Sequence, residues 1–166
     1  GAVYLEPGKD DWTDCLRATS ALPVYYRNFV EIEGRLLADG SVAAPIPVDE
    51  TISRGASRIV VIRTRPAEYR VRLGPMEYYI AFKIRRYRQL QAAGYRHPGV
   101  YNRSVDLLRR PPSGVEVVEV GPSERLLTSR TRPTDESLAA DYASGRRAAR
   151  QALAAIERLV TGQRCG

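Results

Sequence analysis

The chain has 166 residues, enough for a domain with a buried core, and its 43% hydrophobic and 27% charged residues are typical of folded globular proteins. This composition does not indicate an intrinsically disordered chain. The formal net charge is +7, and its lysines and arginines are all arginine except Lys9 and Lys83. Such a surface is suited to phosphate-bearing partners, but the favoured interpretation is ordinary solubility and carboxylate pairing.

No apolar run approaches the roughly 18 residues of a membrane-spanning helix, and residues 1–4 resemble no signal peptide. Two cysteines, Cys15 and Cys165, make no disulfide framework and predict a reduced, cytoplasmic compartment, with peripheral membrane contact left open. His97 is the only histidine and no Cys-x-x-Cys pair occurs, so the sequence predicts no metal site.

The first predicted elements are a short strand at residues 3–5 and a helix that begins at Trp12. Asp10 or Asp11 can cap this helix, because an aspartate before the first turn accepts hydrogen bonds from its N–H groups. Pro23 ends the helical segment, since proline disfavours helix in the residue before it.

A hairpin is predicted next, with strands at residues 29–32 and 35–38 joined by Glu33-Gly34. Its second strand leads directly into Asp39-Gly40-Ser41. An aspartate at a glycine turn is suited to general base catalysis and equally to simple turn formation, so the residues alone leave both open. Gly40 is expected to permit a φ angle or a close contact that a Cβ would forbid.

The middle of the chain predicts a short helix at residues 49–54, ended by Gly55, and then a strand at residues 59–64. This strand is almost continuously apolar, a pattern typical of parallel sheets that are buried on both faces. Helix followed by buried strand is the order of an α/β fold.

The second half of the chain predicts three helices and one strand. Pro75 precedes a helix at residues 76–92, and Gly94 ends it; a second helix follows at residues 97–110. The strand covers residues 115–120, and Thr134 or Asp135 caps a last helix that ends near residue 161. One face of this last helix is apolar and comprises Leu138, Tyr142, Gly145, Ala149, Leu153, Ile156 and Val160.

Basic and aromatic residues alternate in the helix predicted at residues 76–92. The cluster consists of Tyr78, Tyr79, Tyr87, Lys83, Arg85, Arg86 and Arg88. The favoured interpretation is a helix that packs its aromatic rings inward and exposes its arginines. A membrane-facing amphipathic helix and a nucleic-acid surface with stacking tyrosines are the alternatives. The arginines of the last helix, Arg146, Arg147 and Arg150, are interpreted in the same way.

Several blocks of the sequence resemble the second half of a patatin-like phospholipase domain. The most specific are Leu16-Arg17-Ala18-Thr19-Ser20-Ala21-Leu22-Pro23, then Asp39-Gly40-Ser41, then Pro45-Ile46-Pro47-Val48. Further along, Tyr101-Asn102, Gly121-Pro122-Ser123 and Tyr142-x-x-Gly145-Arg146 resemble the tail of bacterial members. The resemblance therefore covers most of the chain.

The resemblance implies that Asp39 forms a catalytic dyad with a serine in an upstream Gly-x-Ser-x-Gly elbow, on the supporting turn of Gly40 and Ser41. Arg17, Ala18, Ser20 and Pro23 would form a structural motif, in which small residues let a helix end pack beneath this turn. No serine of this chain lies in that elbow pattern, and no glycine run could supply an oxyanion hole. The implied activity is lipid ester hydrolysis without a metal or organic cofactor, and this chain alone is expected to be inactive.

The implied fold is the C-terminal portion of a three-layer α/β/α sandwich with a mainly parallel central sheet, followed by a helical extension. Residues 1–66 would belong to the catalytic domain and residues 67–166 to the extension. The expected partners are a lipid ester substrate, an anionic membrane, and the missing N-terminal half or a second copy of the chain. The alternative function is a non-catalytic basic module that binds anionic membranes or nucleic acid, with nucleic acid the less favoured.

Overall fold

A computed structural model of the chain describes residues 1–6, 11–23, 25–26, 28–129 and 132–162, so Asp10 and Cys165 lie outside the described residues. The elements in chain order are α1 (Trp12–Thr19), β1 (Val30–Ile32), β2 (Arg35–Leu37), a 3-10 turn (Gly40–Val42), α2 (Val48–Ser53), β3 (Arg58–Ile62), α3 (Pro75–Lys83), α4 (Arg88–Arg109), β4 (Glu116–Val120) and α5 (Asp135–Thr161). They belong to two compact units, Gly1–Pro47 with Arg70–Ser104, and Val48–Tyr69 with Val105–Gly166. None of the described helices has the length and apolar character needed to cross a membrane.

The first unit contains the predicted hairpin. Strands β1 and β2 pair antiparallel, with Val30 opposite Leu37. Glu33 and Gly34 both have positive φ, 50° and 72°. Two such residues in a two-residue connection match the twist of the flanking strands, which explains why this turn forms here. Helix α1 packs against β1, and Val30 is buried at this contact.

The second unit is built on a parallel pair of strands. Strands β3 and β4 run in register from Arg58 opposite Glu116 to Ile62 opposite Val120. Helix α5 packs against both strands. The predicted short helix before β3 is present as α2, and Gly55, at a φ of 91°, follows its end.

Both ends of α5 carry specific caps. At the start, the Thr134 hydroxyl accepts from the Ser137 N–H at 3.2 Å, and the Ser137 hydroxyl accepts from the Thr134 N–H at 3.1 Å. At the end, Gly162 adopts the left-handed conformation, and Nη1 of Arg58 donates to the carbonyl of Val160 at 3.1 Å. A cation at this position satisfies end carbonyls and opposes the negative end of the helix dipole.

A buried ion pair lies beside the parallel strands. The Arg63 side chain is 4% exposed and its guanidinium donates to the carboxylate of Glu119, which is 20% exposed. The Arg63 N–H extends the ladder by donating to the Val120 carbonyl at 2.8 Å. Gly121 follows, where a Cβ would come within 3.2 Å of the Arg65 carbonyl oxygen, so only glycine fits this approach without a shift.

The expected three-layer α/β/α sandwich with a mainly parallel central sheet is wrong. Among the described residues, the strands form only two separate two-stranded sheets, and that of β1 and β2 is antiparallel. Strand β3 is not buried on both faces, because Ile62 is 81% exposed. Residues 3–5, predicted as a strand, belong to no strand. The apolar run at residues 59–64 therefore correctly predicted strand β3, but it did not predict how many strands pair with β3.

The helices between β3 and β4 also differ from the prediction. Helix α3 ends at Lys83, and α4 continues through Gly94, where the sequence predicted a helix end, and through Pro98. Proline lacks the N–H that would bond to the carbonyl of Gly94, so the helix loses one hydrogen bond. Within the first unit, Ala93 and Tyr101 are buried at helical spacing on either side of this position, and their packing offsets the loss.

Helix α5 packs through a different face from the one predicted. Small residues such as Ala148 and Ala152 are half-buried and Leu159 is buried, whereas Leu138, Tyr142, Leu153 and Val160 of the predicted apolar face are exposed. Each of these packed residues directly precedes a residue of the predicted apolar face, so the packed side is rotated around the helix axis by one residue. Small side chains let a helix approach a sheet closely. Of the predicted apolar face, Ile156 is half-buried.

Candidate functional site

Both ends of α1, the helix that precedes the Asp39 turn in the sequence, are held by local hydrogen bonds. Asp11 caps the start of α1 by accepting from the N–H groups of Thr13 and Asp14 at 2.7 and 3.1 Å. The N–H groups of Asp14 and Thr13 lower the pKa of Asp11 below its ordinary value. At the other end, Ser20 is the C-cap residue, and its N–H bonds the Arg17 carbonyl at 3.3 Å.

The four residues predicted as a structural motif divide into buried and exposed members. Ala18 and Pro23 are buried, whereas Arg17 and Ser20 are exposed. Nη1 of Arg17 donates to Oδ1 of Asp14 at 2.7 Å, and hydrogen bonding to the Tyr26 side chain raises the Arg17 pKa above its ordinary value. Arg17 thus places a permanent positive charge at the end of α1.

Asp39 is the N-cap of the 3-10 turn Gly40–Val42. Its Oδ1 accepts from the Ser41 N–H at 2.7 Å, and its carbonyl accepts from the Val42 N–H at 3.2 Å. The side chain is half-buried. A carboxylate that caps its own turn in this way has few rotamers open to it, so its position relative to the backbone is well defined.

The turn lies against the end of α1. The Asp39 N–H donates to the carbonyl of Ala21 at 3.0 Å, and Ala21 is completely buried. A Cβ on Gly40 would come within 3.2 Å of Oγ1 of Thr19. Gly40 therefore permits a close contact, as expected, and small residues on both sides allow the two segments to meet. Its φ is not in the left-handed region, so the glycine is not needed for that conformation.

The two oxygens of the Asp39 carboxylate differ in their hydrogen bonding. Within the described part of the chain, Oδ1 accepts the Ser41 N–H and Oδ2 accepts no hydrogen bond. A carboxylate that is fixed through one oxygen and accessible through the other can accept a proton from a nearby hydroxyl. Ser20 is exposed at a helix end rather than on a strained glycine elbow, so it lacks the geometry of an activated nucleophile.

The remaining histidine and cysteine side chains of the described residues lie apart from the Asp39 turn in sequence. In the described residues no three His, Cys, Asp or Glu side chains cluster as metal ligands would. His97 lies within α4, half-buried, with its ring centroid 6.2 Å from that of Tyr101 and its buried Nδ1 without a hydrogen bond partner. The half-buried Cys15 lies on α1, and Cys165 lies outside the described residues.

Large apolar side chains of α1 and β2 are exposed. Trp12 and Leu16, one turn apart on α1, are both more than half exposed, and so is Leu36 on β2. The large apolar residues of α1 therefore do not pack into the core of the first unit, whereas its small residue Ala18 does.

Two comparisons place the chain among other proteins. Residues 87–161 match a family model described as a domain of unknown function, DUF6363, which here covers α4, β4 and α5. The chain is also similar to an uncharacterized protein, YjjU, of Escherichia coli strain K12, with 31% identity over 166 residues. That match covers 95% of this chain and 44% of YjjU, so the chain spans less than half the length of this relative. No solved structure matches the chain.

Proposed function

We propose that this chain supplies the general base, Asp39, of a patatin-like serine acyl hydrolase that cleaves lipid esters. The observation that supports it is the geometry of one carboxylate, which the Ser41 N–H holds through Oδ1 at 2.7 Å while Oδ2 accepts no hydrogen bond among the described residues. A general base must be held rigidly and still reach the proton that it removes. The resemblance in sequence around Asp39 supplies the reaction class.

In the proposed reaction, a serine outside these 166 residues attacks the ester carbonyl carbon while Oδ2 of Asp39 takes the hydroxyl proton. The tetrahedral intermediate then collapses, and the leaving alcohol takes the proton back from Asp39. Asp39 next deprotonates a water that attacks the acyl-enzyme, which releases the fatty acid and restores the serine. Neither step needs a metal ion or an organic cofactor.

The same proposal requires a partner that carries the serine. On the first unit Trp12, Leu16 and Leu36 each expose a large apolar side chain, and exposed apolar surface commonly marks an interface. The occupant that fits the proposed reaction is the polypeptide that carries the serine, because the nucleophile must lie within hydrogen-bonding reach of Asp39. A second copy of this chain would cover the surface without completing the dyad.

Asp39→Asn in the full natural protein tests the base directly. The amide keeps an oxygen for the Ser41 N–H but cannot accept the serine proton, so hydrolysis of a lipid ester should fall by at least about 10²-fold. The melting temperature should hardly change. Asp11→Asn is the matched control, because Asp11 also caps a helix by accepting backbone N–H groups, and this variant should keep its activity.

A fluorophosphonate probe tests the nucleophile. Mass analysis of the full natural protein after treatment should find one covalent adduct, on a serine outside these 166 residues. Near-wild-type turnover by Asp39→Asn would rule out the dyad. An unlabelled protein without esterase activity would rule out the hydrolase altogether.

A further inference from the structure

Helix α3 exposes its aromatic rings and buries its small residues. Tyr78, Tyr79 and Phe82 are 55%, 50% and 58% exposed, whereas Ala81 and Ile84 on the opposite side of the helix are buried. The prediction that this segment packs its aromatic rings inward is therefore wrong for Tyr78 and Tyr79. Only Tyr87, beyond the end of α3, is half-buried, edge-to-face with Phe29 at 5.0 Å between centroids.

Cationic groups lie directly over these exposed rings. Nζ of Lys83 is 5.4 Å from the centre of the Tyr79 ring, and Cζ of Arg85 is 4.2 Å from that of Phe82. Nη1 of Arg85 also donates to the Phe82 carbonyl at 3.0 Å, which holds the guanidinium at the end of the helix. The positive charge of this segment is thus concentrated on its aromatic side.

A neighbouring ring from α4 enlarges the aromatic surface. Tyr95 is exposed and its ring centroid lies 6.2 Å from that of Tyr78. We define the α3 face as Tyr78, Tyr79, Phe82, Lys83, Arg85 and Tyr95. All six residues belong to the first unit. Three of its four rings are tyrosines, so most rings carry a polar hydroxyl at the end of an apolar body.

We propose that the α3 face is a docking surface for an anionic lipid bilayer. Tyrosine rings prefer the level of the lipid headgroups, where the ring is apolar and the hydroxyl is wet. Lys83 and Arg85 would meet the negative surface charge of such a bilayer, to which each basic residue adds attraction. This inference does not depend on the proposed hydrolysis, because it rests on none of the residues of the Asp39 turn.

The stacking geometry favours a bilayer over single-stranded nucleic acid. Nucleic-acid platforms work by stacking bases on open ring faces. Here Lys83 and Arg85 already cover one face of Tyr79 and of Phe82. Shallow insertion into a headgroup layer needs no open ring face, only exposed ring edges and nearby cations.

Vesicle flotation with the 166-residue chain tests the docking surface. The chain should float with phosphatidylcholine vesicles that contain about a quarter phosphatidylglycerol, and hardly at all with pure phosphatidylcholine. High salt should weaken binding without abolishing it, because screening removes the charge attraction and leaves the aromatic contribution. Failure to bind the anionic vesicles at low salt would overturn the proposal.

Paired variants locate the binding. Tyr79→Ala with Phe82→Ala should weaken vesicle binding by about tenfold or more, since two apolar side chains no longer enter the bilayer. Tyr142→Ala is the matched control, because Tyr142 is 67% exposed on α5 with Cζ of Arg146 5.8 Å from its ring centre. This control should bind within about twofold of wild type. Equal losses in both variants would show that the α3 face is not the docking surface.

A fluorescent side chain gives a readout that does not depend on affinity. In a Trp12→Phe background, Phe82→Trp should shift its emission to the blue on adding anionic vesicles, whereas Tyr142→Trp should not. Circular dichroism would check that each variant folds as wild type does. If Phe82→Trp responded to single-stranded RNA and not to vesicles, the surface would be a nucleic-acid site and the lipid proposal would be wrong.

Discussion

Glu119→Ala tests how much the buried ion pair stabilises the second unit. Arg63 is 4% exposed and Glu119 is 20% exposed, so the variant removes one carboxylate partner from a guanidinium in a largely dry environment. Removing one partner of a buried pair costs about 3–5 kcal/mol, and the partial exposure of Glu119 places the expected cost near 3 kcal/mol. At about 1.4 kcal/mol per factor of ten, this corresponds to more than 100-fold in the opening equilibrium.

Amide hydrogen exchange across β3 and β4 would measure that change locally. Protection of the ladder amides, including the Arg63 N–H that bonds the Val120 carbonyl, should fall by about two orders of magnitude in Glu119→Ala. Glu116→Ala is the matched control, since Glu116 is an exposed residue of the same strand. Its protection should stay close to that of wild type.

A second variant separates charge burial from packing. Replacing both partners, with Arg63→Met and Glu119→Leu, should recover most of the lost protection, because no buried charge then remains. If Glu119→Ala reduced protection no more than Glu116→Ala did, the pair would contribute nothing beyond an exposed glutamate. The reasoning from burial would then be refuted.

Two further predictions concern residues that fasten loops. The carboxylate of Asp141 accepts the N–H groups of Leu127 and Thr128 at 2.9 and 2.8 Å, and the Thr128 side chain with these N–H groups lowers its pKa below the ordinary 3.8. Because the folded pKa is lowered, this stabilisation is present above pH 3.8 and is lost as the pH falls through the folded value. Asp141→Asn should therefore reduce how far the melting temperature falls as the pH decreases through that acid range. If the melting temperature of the variant fell as steeply as that of wild type, Asp141 would not be the source of the pH dependence. Gly40→Ala should destabilise the chain by about 1 kcal/mol through its contact with Thr19, and Thr19→Ala should relieve most of that cost in the double variant; additive effects in denaturant unfolding would contradict this.

Features fixed by neighbouring residues were predictable from the sequence. The cap at Asp11, the hairpin turn at Glu33-Gly34 and the start of α5 at Thr134 all form where local chemistry placed them. In each case a side chain or glycine satisfies backbone requirements within about four residues. The Asp39 turn belongs to this class, since its main hydrogen bond joins Asp39 to Ser41.

Features fixed by distant residues were not predictable in the same way. Periodicity identified α5 as a helix but assigned Leu153 and Val160 to the core. In the structure these two residues are exposed, and the side with smaller residues such as Ala148 is the one that is partly buried. Gly94 and Pro98 are local helix breakers, yet α4 continues through them, with Ala93 and Tyr101 of the first unit buried on either side. Local signals define element type, and the choice of buried face depends on partners that a single sequence does not name.

The bond from the Asp39 N–H to the Ala21 carbonyl falls between these classes. The sequence resemblance predicted small residues next to the turn, and Ala21 is buried there. The exposure of Trp12 and Leu16 was missed, because amphipathic spacing does not say whether the apolar side meets the same chain.

The order of the parallel strands along the chain has a consequence for synthesis on the ribosome. Each residue of β3 pairs with one about 58 positions later, as Ile59 does with Val117. At about 5–20 residues per second, translation leaves β3 without β4 for roughly 3–12 s. An apolar strand with both edges open for that long can pair with other nascent chains or recruit a chaperone. The speed of elongation through residues 63–120 should therefore influence the yield of folded protein.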